Sequence, residues 1–571
     1  MQSGISLIRP QPRGLTQLLA LIVLLVFASL AQAVTEPVKS PNDSNRYRYL
    51  ELDNGLQVLL ISAPGSTKAA ASMNVAVGSG DDPKNREGLS HFLEHMLFLG
   101  TEKYPEPGEY QQFIRSHGGS HNAFTAFQDT NYFFDIQAGH LDDALDRFAE
   151  QFSAPLFTPE LVDRERRAVH SEYTSKLKDD GRRIYSVKKA VSNPDHTFHQ
   201  FAVGNLETLE NTDARPLRPD LVEFWKAHYS ANLMSLAVYG PQPLDELEAM
   251  VRGRFDAIAN RNLTAKVHDA PLMRPDALPA QVTVDALKDI RSLTLSFPIP
   301  SQQANYRTKP GSYVANLLRH EGPGSLFDVL KQEGLVESLS AGTGMDTGTE
   351  ATLEIAMSLT PEGLERRNEI LALVFAYIEQ IRDEGISEDR FNEMKNLAQI
   401  DFRFRERSEP VHEVMRLASQ LRHYPPVDVL QAPWMMEAYE PAQYRDILAR
   451  LTPDNVLVTV VAPEPGIESP SQTQWYQTAY ERQPLDIPSV NEADTAGLAA
   501  QLALPDANPF VPESLGMVSG NTMSKPVLLS QQEGLSVWYA RDTQFGTPKA
   551  NVYVSIRTPL AQASARGKVL T

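Results

Sequence analysis

Short sequence patterns that recur along the chain constrain its fold more than any other feature. Leu221–His228 has the spacing of an amphipathic helix and is followed by a strand-like run at 233–239. The same order returns at Tyr444–Leu451 and 456–462. A pattern that returns at a long interval predicts tandem copies of one structural unit. Because each copy mixes strands with long helices, we predict an α+β fold, with similar tandem domains of mixed or antiparallel sheet packed with helices.

A hairpin-like pattern links the beginning of the chain to its end. Leu52–Val58 precedes a strand-like run at 70–77, and residues 532–537 precede another at 550–556. The last copy ends soon after this second run, so we expect the third unit to stop after its opening hairpin. Such a piece leaves strand edges exposed and too little core for a stable domain. We therefore interpret the chain as truncated or fragmentary.

Two stretches rich in Pro and Ala mark the predicted domain boundaries. One lies near 262–281, and the other at 489–525 is predicted to be a linker. They delimit a first predicted domain at 45–262 and a second, similar domain at 282–488. Residues 526–571 are predicted to begin a third.

The N-terminus is interpreted as an export signal. Two arginines precede an apolar run at 18–30, and Ala31-Gln32-Ala33 has the small-x-small pattern of a cleavage site. The apolar run is short for a bilayer span. We expect a cleaved signal peptide at 1–33, a mature chain from Val34 without a membrane anchor, and a periplasmic location in a Gram-negative bacterium. The alternative is an uncleaved anchor.

Charge and cysteine content exclude several functions. The 571 residues carry 72 acidic and 53 basic side chains, a formal charge of −19, and no Cys. Nucleic-acid binding needs basic faces, so we expect no nucleic-acid partner. Without Cys there is no disulfide, thiolate metal site or Cys nucleophile. Any metal must be held by His and carboxylate side chains.

The segment from Gly88 to Phe98 contains the pattern H-x-x-E-H in an otherwise apolar helix. His91 and His95 are four residues apart, so both imidazoles project from one face and can bind one metal ion. Glu94 is close enough to act on a water molecule at that metal. The spacing matches the inverse of the H-E-x-x-H zinc motif.

A third ligand must come from a second element, because a catalytic zinc site has three protein ligands. A predicted helix over 159–178 offers Glu165, His170 and Glu172. Glu165 and Glu172 are two turns apart on one face. Spacing alone leaves these three residues as alternatives.

The chain resembles the pitrilysin–insulysin family of zinc peptidases, the inverzincins, from about Tyr47 to the C-terminus. The run from Arg164 to Glu172 matches the family's second motif. The resemblance implies that Glu172 is the third ligand of one Zn²⁺ per chain, beside His91 and His95. It implies that Glu165 is the acid that steadies a ligating His.

The resemblance also implies substrate contacts. Asn122 and Ala123 match an edge strand that pairs with an extended peptide. Phe98 and Phe124 match an apolar subsite, with ordinary core packing as the alternative.

A further match lies in the second copy. Glu321, together with 339–341, matches an exosite for a substrate's N-terminus. Asn316 and Arg319 depart from the family's residues there, and a Gly-Pro turn before a helix is the alternative.

The resemblance implies that this chain forms half of a clam-shell chamber. The function implied is a periplasmic zinc endopeptidase that cleaves oligopeptides or small unfolded proteins, with Glu94 as general base. The alternative is a non-catalytic or half-enzyme subunit that needs a C-terminal partner half, on the same chain or a second one, for activity.

Overall fold

The computed structural model describes most of the chain. The described residues are 36–512, 514–517, 519–543 and 546–558. The predicted signal peptide at 1–33 lies outside them and stays a prediction.

The chain divides into two compact units, residues 1–507 and residues 508–571, each of which has its own internal contacts. Among the described residues, no helix combines the length and the apolar character that crossing a bilayer requires.

The first sheet has six strands in the order β1-β2-β6-β3-β5-β4. Strands β2 and β6 are parallel, and the other neighbours are antiparallel. The apolar run of β3 is buried in the middle of the sheet, whereas β4 lies at the edge and alternates exposed and covered residues. The strands are β1 (Arg46–Glu51), β2 (Gln57–Ser62), β3 (Lys68–Val75), β4 (Ser120–Thr125), β5 (Thr130–Gln137) and β6 (Met234–Gly240).

The second sheet repeats this arrangement with the order β12-β13-β7-β11-β8-β10-β9. Strands β7 and β11 are parallel, as β2 and β6 are, and the run β7-β11-β8-β10-β9 corresponds to β2-β6-β3-β5-β4. The strands are β7 (Ala280–Asp285), β8 (Ser292–Pro300), β9 (Val336–Asp346), β10 (Glu350–Leu359), β11 (Leu457–Ala462), β12 (Ser471–Gln472) and β13 (Ala479–Pro484). The predicted tandem α+β fold is therefore confirmed.

Helices lie between the strands at similar places in both copies. The first copy has α1 (Leu89–Leu97), α2 (Glu109–Ser116), α3 (Leu141–Ser153), α4 (Pro159–Ser175), α5 (Asp180–Val191), α6 (Leu217–His228) and α7 (Leu244–Phe255). The second has α8 (Pro310–Leu318), α9 (Leu326–Gln332), α10 (Pro361–Glu365), α11 (Arg367–Gln380), α12 (Glu388–Arg403), α13 (Pro410–Gln420) and α14 (Pro441–Leu448), and α15 (Ala496–Ala499) follows.

Each copy lends one helix to the sheet of the other. In α13, Val414 and Leu417 are buried against Leu59 and Ile61 of β2, on the face of the first sheet that its own core does not use. In α5, Val187 packs against β7 and β11 of the second sheet. A sheet must cover both apolar faces, and this exchange joins the two copies into one compact unit instead of separate domains.

The first part of the predicted linker at 489–525 packs against the second copy. Thr495 is buried, Leu502 belongs to the core of the second copy, and the Ala503 amide donates to the Gly324 carbonyl over 2.7 Å. The prolines indicate irregular backbone, as the structure shows. The leucines of this stretch, however, form an apolar face that packs against the core of the second copy. The stretch near 262–281 likewise buries Leu272.

The unit formed by 508–571 contains, in its described part, an antiparallel hairpin of β14 (Val527–Gln532) and β15 (Leu535–Tyr539). The predicted strand at 550–556 is wrong, because no strand is formed there. A strand needs a hydrogen-bonded neighbour, and a lone hairpin is only marginally stable. Trp538 is 62% exposed and Tyr553 is 91% exposed.

Candidate metal centre

Helix α1 is buried, and the residue that precedes it is closely packed. Phe92, Leu93 and Met96 anchor it in the first core. Gly88 has a φ of 85°, and a Cβ there would lie 2.2 Å from the Cα of Gly204, so only glycine fits.

Asp82 caps the same helix. Its carboxylate accepts from the backbone amides of Gly88 and Ser90 over 2.8 and 2.7 Å. Burial raises the pKa of Asp82 to about 7, although these hydrogen bonds oppose the shift. Sequence analysis missed this residue, because it lies outside the helix that it caps.

Three side chains from α1 and α4 converge. Glu172 Oε2 lies 3.7 Å from His91 Nε2 and 3.6 Å from His95 Nε2, and one donor atom from each residue lies within 4.8 Å of the others. Donors about 2.0–2.2 Å from a tetrahedral zinc ion would stand roughly 3.3–3.6 Å apart. Two imidazoles and one carboxylate also form a known catalytic zinc donor set. The residues therefore fit a zinc ion.

The second ring nitrogen of each imidazole, Nδ1, has a hydrogen-bonding partner. His91 Nδ1 lies 2.7 Å from the Val203 carbonyl oxygen, and His95 Nδ1 lies 2.9 Å from Glu165 Oε1. A carbonyl or carboxylate at this position orients the ring, so that Nε2 faces the metal. Sequence analysis missed Val203, because a backbone carbonyl leaves no signal in the sequence.

The charges of the centre are strongly coupled. Burial alone would lower the pKa of His95, but the hydrogen bond to Glu165 and the nearby carboxylates of Glu172 and Glu94 outweigh it and raise the pKa to about 9. The nearby His95 lowers the pKa of Glu172 to about 2, with help from the charge of His91 and against partial burial. The cluster therefore attracts a cation or protons.

Glu94 is buried beside the cluster. The Thr125 hydroxyl donates to Glu94 Oε2 over 2.6 Å, which fixes the carboxylate at the end of strand β4. Thr125 was also missed, because its distance from Glu94 in the chain gives no local pattern.

The structure separates the three alternatives for the third ligand. Glu172 lies between the two imidazoles, and Glu165 lies behind His95. His170 Nδ1 accepts from the Leu206 amide over 3.4 Å, and its ring packs against Tyr173, so it faces away from the cluster.

The predicted substrate residues of the first copy lie on and near β4. Asn122 and Ala123 are in this strand, whose outer edge has no strand neighbour among the described residues. Phe98 packs against Tyr110 and is partly buried, whereas Phe124 is 41% exposed. The described ring contacts do not pair Phe98 with Phe124.

The predicted exosite residues lie in the second copy. Glu321 is exposed after α8, and 339–341 lie in β9, the edge strand of the second sheet. Glu321 is not among the residues that form the metal cluster within the described part. Its role stays a prediction.

The fold and the cluster together define a class: a tandem α+β protein with a candidate His-His-Glu metal centre in its first copy. Family models match three consecutive parts of the chain. Residues 57–195 match insulinase (peptidase family M16), 217–398 match the peptidase M16 inactive domain, and 402–571 match the middle or third domain of peptidase M16. The chain belongs to peptidase family M16.

The similar curated proteins and solved structures support the same family. The chain is 37% identical to insulin-degrading enzyme of Homo sapiens over 528 residues, and 36% identical to A-factor-processing enzyme of Saccharomyces cerevisiae over 541 residues. These matches cover 92% and 94% of this chain and 52% of each relative, so the chain spans about half their length.

The crystal structure of pitrilysin matches with a TM-score of 0.84 and 32% identity, covering 94% of this chain and 57% of that one. A protease from Helicobacter pylori shares the fold at a TM-score of 0.58 and 18% identity, over 73% of this chain and 100% of that one.

Proposed function

We propose that the protein is a zinc-dependent endopeptidase. The observation that carries the proposal is the convergence of His91, His95 and Glu172 beside a buried, hydrogen-bonded Glu94. When bound there, zinc would act as a Lewis acid that polarises a peptide carbonyl and lowers the pKa of water.

The other side chains of the site have separate roles in the proposed reaction. Glu94 is the general base: it takes a proton from the attacking water and delivers it to the leaving amine. Thr125 holds the Glu94 carboxylate in one orientation. Glu165 is a positioning residue, because it acts on His95 and not on the substrate.

We propose oligopeptides or small unfolded proteins as substrates. Within the part of the chain that the structure describes, the outer edge of β4 has no strand neighbour, and this edge lies next to Thr125 and therefore next to Glu94. An extended peptide can add to such an edge as a further strand, with Asn122 and Ala123 alongside it. A segment whose backbone is already paired inside a folded protein cannot add to this edge.

The test is Glu94→Gln. Glutamine keeps the shape and the Thr125 contact but cannot take the proton, so peptide cleavage should fall by at least about 10²–10⁴-fold while zinc content stays at the wild-type level. Glu102→Gln, at an exposed position near the end of α1, is the control and should leave both unchanged. Near-normal cleavage by Glu94→Gln would refute the general-base role.

We propose further that full activity needs a C-terminal half. The chain covers 52% of its relatives, and residues such as Leu529 and Trp538 of the hairpin unit are exposed and apolar. The test compares peptide cleavage by this chain alone and with the second half of a relative supplied as a separate chain. Stimulation supports the half-enzyme form of the proposal, and equal rates contradict it.

We propose export to the periplasm through a signal peptide at 1–33, on the grounds of its apolar run and small-residue cleavage pattern. N-terminal sequencing of the protein from cell fractions should give a periplasmic product that begins near Val34. An intact Met1 in the cytoplasm would contradict this.

A further inference from the structure

The turn between β4 and β5, residues 126–129, directly follows the residue that holds the general base. Thr125 is the last residue of β4, and its hydroxyl donates to Glu94 Oε2 over 2.6 Å. The turn is closed by a hydrogen bond from the Ala126 amide to the Asp129 carbonyl oxygen over 2.8 Å. A shift of this turn therefore moves Thr125, and with it the Glu94 carboxylate.

Backbone hydrogen bonds of the first copy hold one side of the β4–β5 turn. The Ser79 amide donates to the Ala126 carbonyl oxygen over 2.8 Å. The Gly80 amide donates to the Phe127 carbonyl oxygen over the same distance. These bonds join the turn to the segment that leads into α1, and they do not depend on the side chains that the turn carries.

The second copy contacts the same turn through the turn between β9 and β10. Gln128 is half-buried, and its side-chain Nε2 donates to the Thr347 carbonyl oxygen over 2.8 Å. Thr347 is itself buried, and its backbone amide donates to the Glu350 carbonyl oxygen over 2.8 Å. The acceptor of the Gln128 bond is therefore part of a closed turn of the second sheet.

Two further contacts bring the second copy to the β4–β5 turn. The Thr349 hydroxyl donates to the His268 carbonyl oxygen over 3.0 Å, and the His268 ring centroid lies 4.7 Å from that of Phe127. Burial raises the pKa of the Asp129 carboxyl, and the charge of Arg422, just after α13, opposes this shift. The turn is therefore held from both copies.

The Gln128 bond is small for the fold but well placed for the chemistry. One hydrogen bond between uncharged groups contributes little to the stability of a whole domain. A general base, in contrast, must lie within hydrogen-bonding reach of the proton that it takes. A misplacement of about 1 Å, caused by a change far from the reacting atoms, can cost about 100-fold in rate.

We propose that Gln128 is a positioning residue: through its bond to Thr347 the second copy fixes the β4–β5 turn, and the turn fixes Thr125 and the Glu94 carboxylate. The proposal rests on the proposed peptidase function. It gives a part in the reaction to the second copy, whose described residues contain no metal cluster. The Gln128 bond involves neither a metal ligand nor a β4 residue predicted to contact the peptide, so its loss should affect turnover and not substrate binding.

The test is Gln128→Glu, which keeps the size of the side chain but places a carboxylate against the Thr347 carbonyl oxygen. The kcat for a peptide substrate should fall about 10- to 100-fold, while KM and zinc content stay within about twofold of the wild type. Gln128→Lys can still donate to the carbonyl and should keep most of the turnover. Gln380→Glu is the matched control, because Gln380 Nε2 donates to the Leu502 carbonyl oxygen over 3.3 Å within the second copy, and it should leave kcat unchanged.

A double-mutant cycle tests whether Gln128 acts through Thr125. Thr125→Val keeps the shape of the side chain and removes the hydroxyl that holds Glu94. In the Thr125→Val background, Gln128→Glu should lower kcat by less than about twofold, because residues that act through one contact are not additive. Losses that multiply would show that Gln128 does not act through Thr125, and would overturn the proposal.

Amide hydrogen exchange of the metal-free protein gives a readout that needs no turnover. Gln128→Glu should speed exchange in 124–130 by about tenfold, while the Gln380→Glu control keeps wild-type rates there. Unchanged exchange in this segment, an unchanged kcat, or a raised KM at constant kcat would overturn the positioning role. If the wild-type protein cleaves no peptide, the peptidase function is refuted instead, and the exchange result still decides whether the second copy holds the turn.

Discussion

Helix α1 of the first copy and helix α8 of the second occupy the same place in the same fold. Each has nine residues and follows the central strand of its sheet, β3 or β8. In this alignment Phe92, Leu93 and Met96 correspond to Tyr313, Val314 and Leu317, and all six side chains are buried. His91, Glu94 and His95 correspond to Ser312, Ala315 and Asn316.

The comparison separates residues that build the helix from residues that do chemistry. Both helices are preceded by a residue with positive φ, Gly88 or Lys309. Both also have a side chain outside the helix that accepts from an amide of the first turn: Asp82 accepts from Ser90, and Gln302 accepts from Gly311. The core positions and the cap are therefore properties of the fold. The residues of the metal centre are not part of the common fold, because the second copy has other residues at these positions.

The largest effect should come from giving the first copy a residue of the second. His95→Asn removes one of three ligands, so zinc affinity should fall by about 10³-fold or more, measured by competition with a chelating dye. The helix should still form in the metal-free variant, with an unchanged circular dichroism spectrum, because asparagine occupies this position in α8. The reverse change, Asn316→His, should bind no zinc, and zinc bound by that variant in the second copy would contradict the comparison.

A smaller difference should separate the two glutamates of α4. Glu172→Gln removes a ligand and should release zinc, whereas Glu165→Gln loosens only the orientation of His95 and should cost about 10–100-fold in affinity or activity. Glu160→Gln, exposed on the same helix, should change nothing. Equal zinc content in the first two variants would show that the wrong carboxylate was chosen.

These residues also mark how much of the site could be predicted from the sequence. Helical spacing alone places His91 and His95 on one face, because both lie in one regular element. Spacing could not choose among Glu165, His170 and Glu172, since the angle between two helices is a tertiary property. The resemblance to a known family made that choice.

The contacts of Asp82, Thr125 and Val203 could not be predicted, because each joins segments that are distant in the chain or uses a backbone atom. The exchanged helices α5 and α13 were missed for a related reason. An amphipathic pattern shows that a helix has a partner, but not which sheet that partner is.

Zinc affinity should depend on pH with a defined sign. The pKa of His95 is raised to about 9 in the metal-free protein, so below that pH zinc must displace a proton from it. Affinity should rise about tenfold per pH unit up to about 9 and then level off, when measured by competition at pH 6.5, 7.5 and 8.5. Glu165→Gln removes one cause of the raised pKa and should bring the plateau to lower pH. A pH-independent affinity would contradict the coupling of His95 to Glu165 and Glu172.

The last expected effect is on stability and concerns the exchanged helices, which make the two copies one unit. Leu417→Ala in α13 removes a fully buried side chain from the first sheet and should cost about 3 kcal/mol. Val187→Ala in α5 does the same at the second sheet and should cost about 2 kcal/mol. Because each helix belongs in sequence to one copy and in packing to the other, either change should shift one common unfolding transition in calorimetry. Leu397→Ala, at a position that is 41% exposed, should shift it little. Two transitions, of which each variant moves only one, would show that the copies unfold as separate domains despite the exchange.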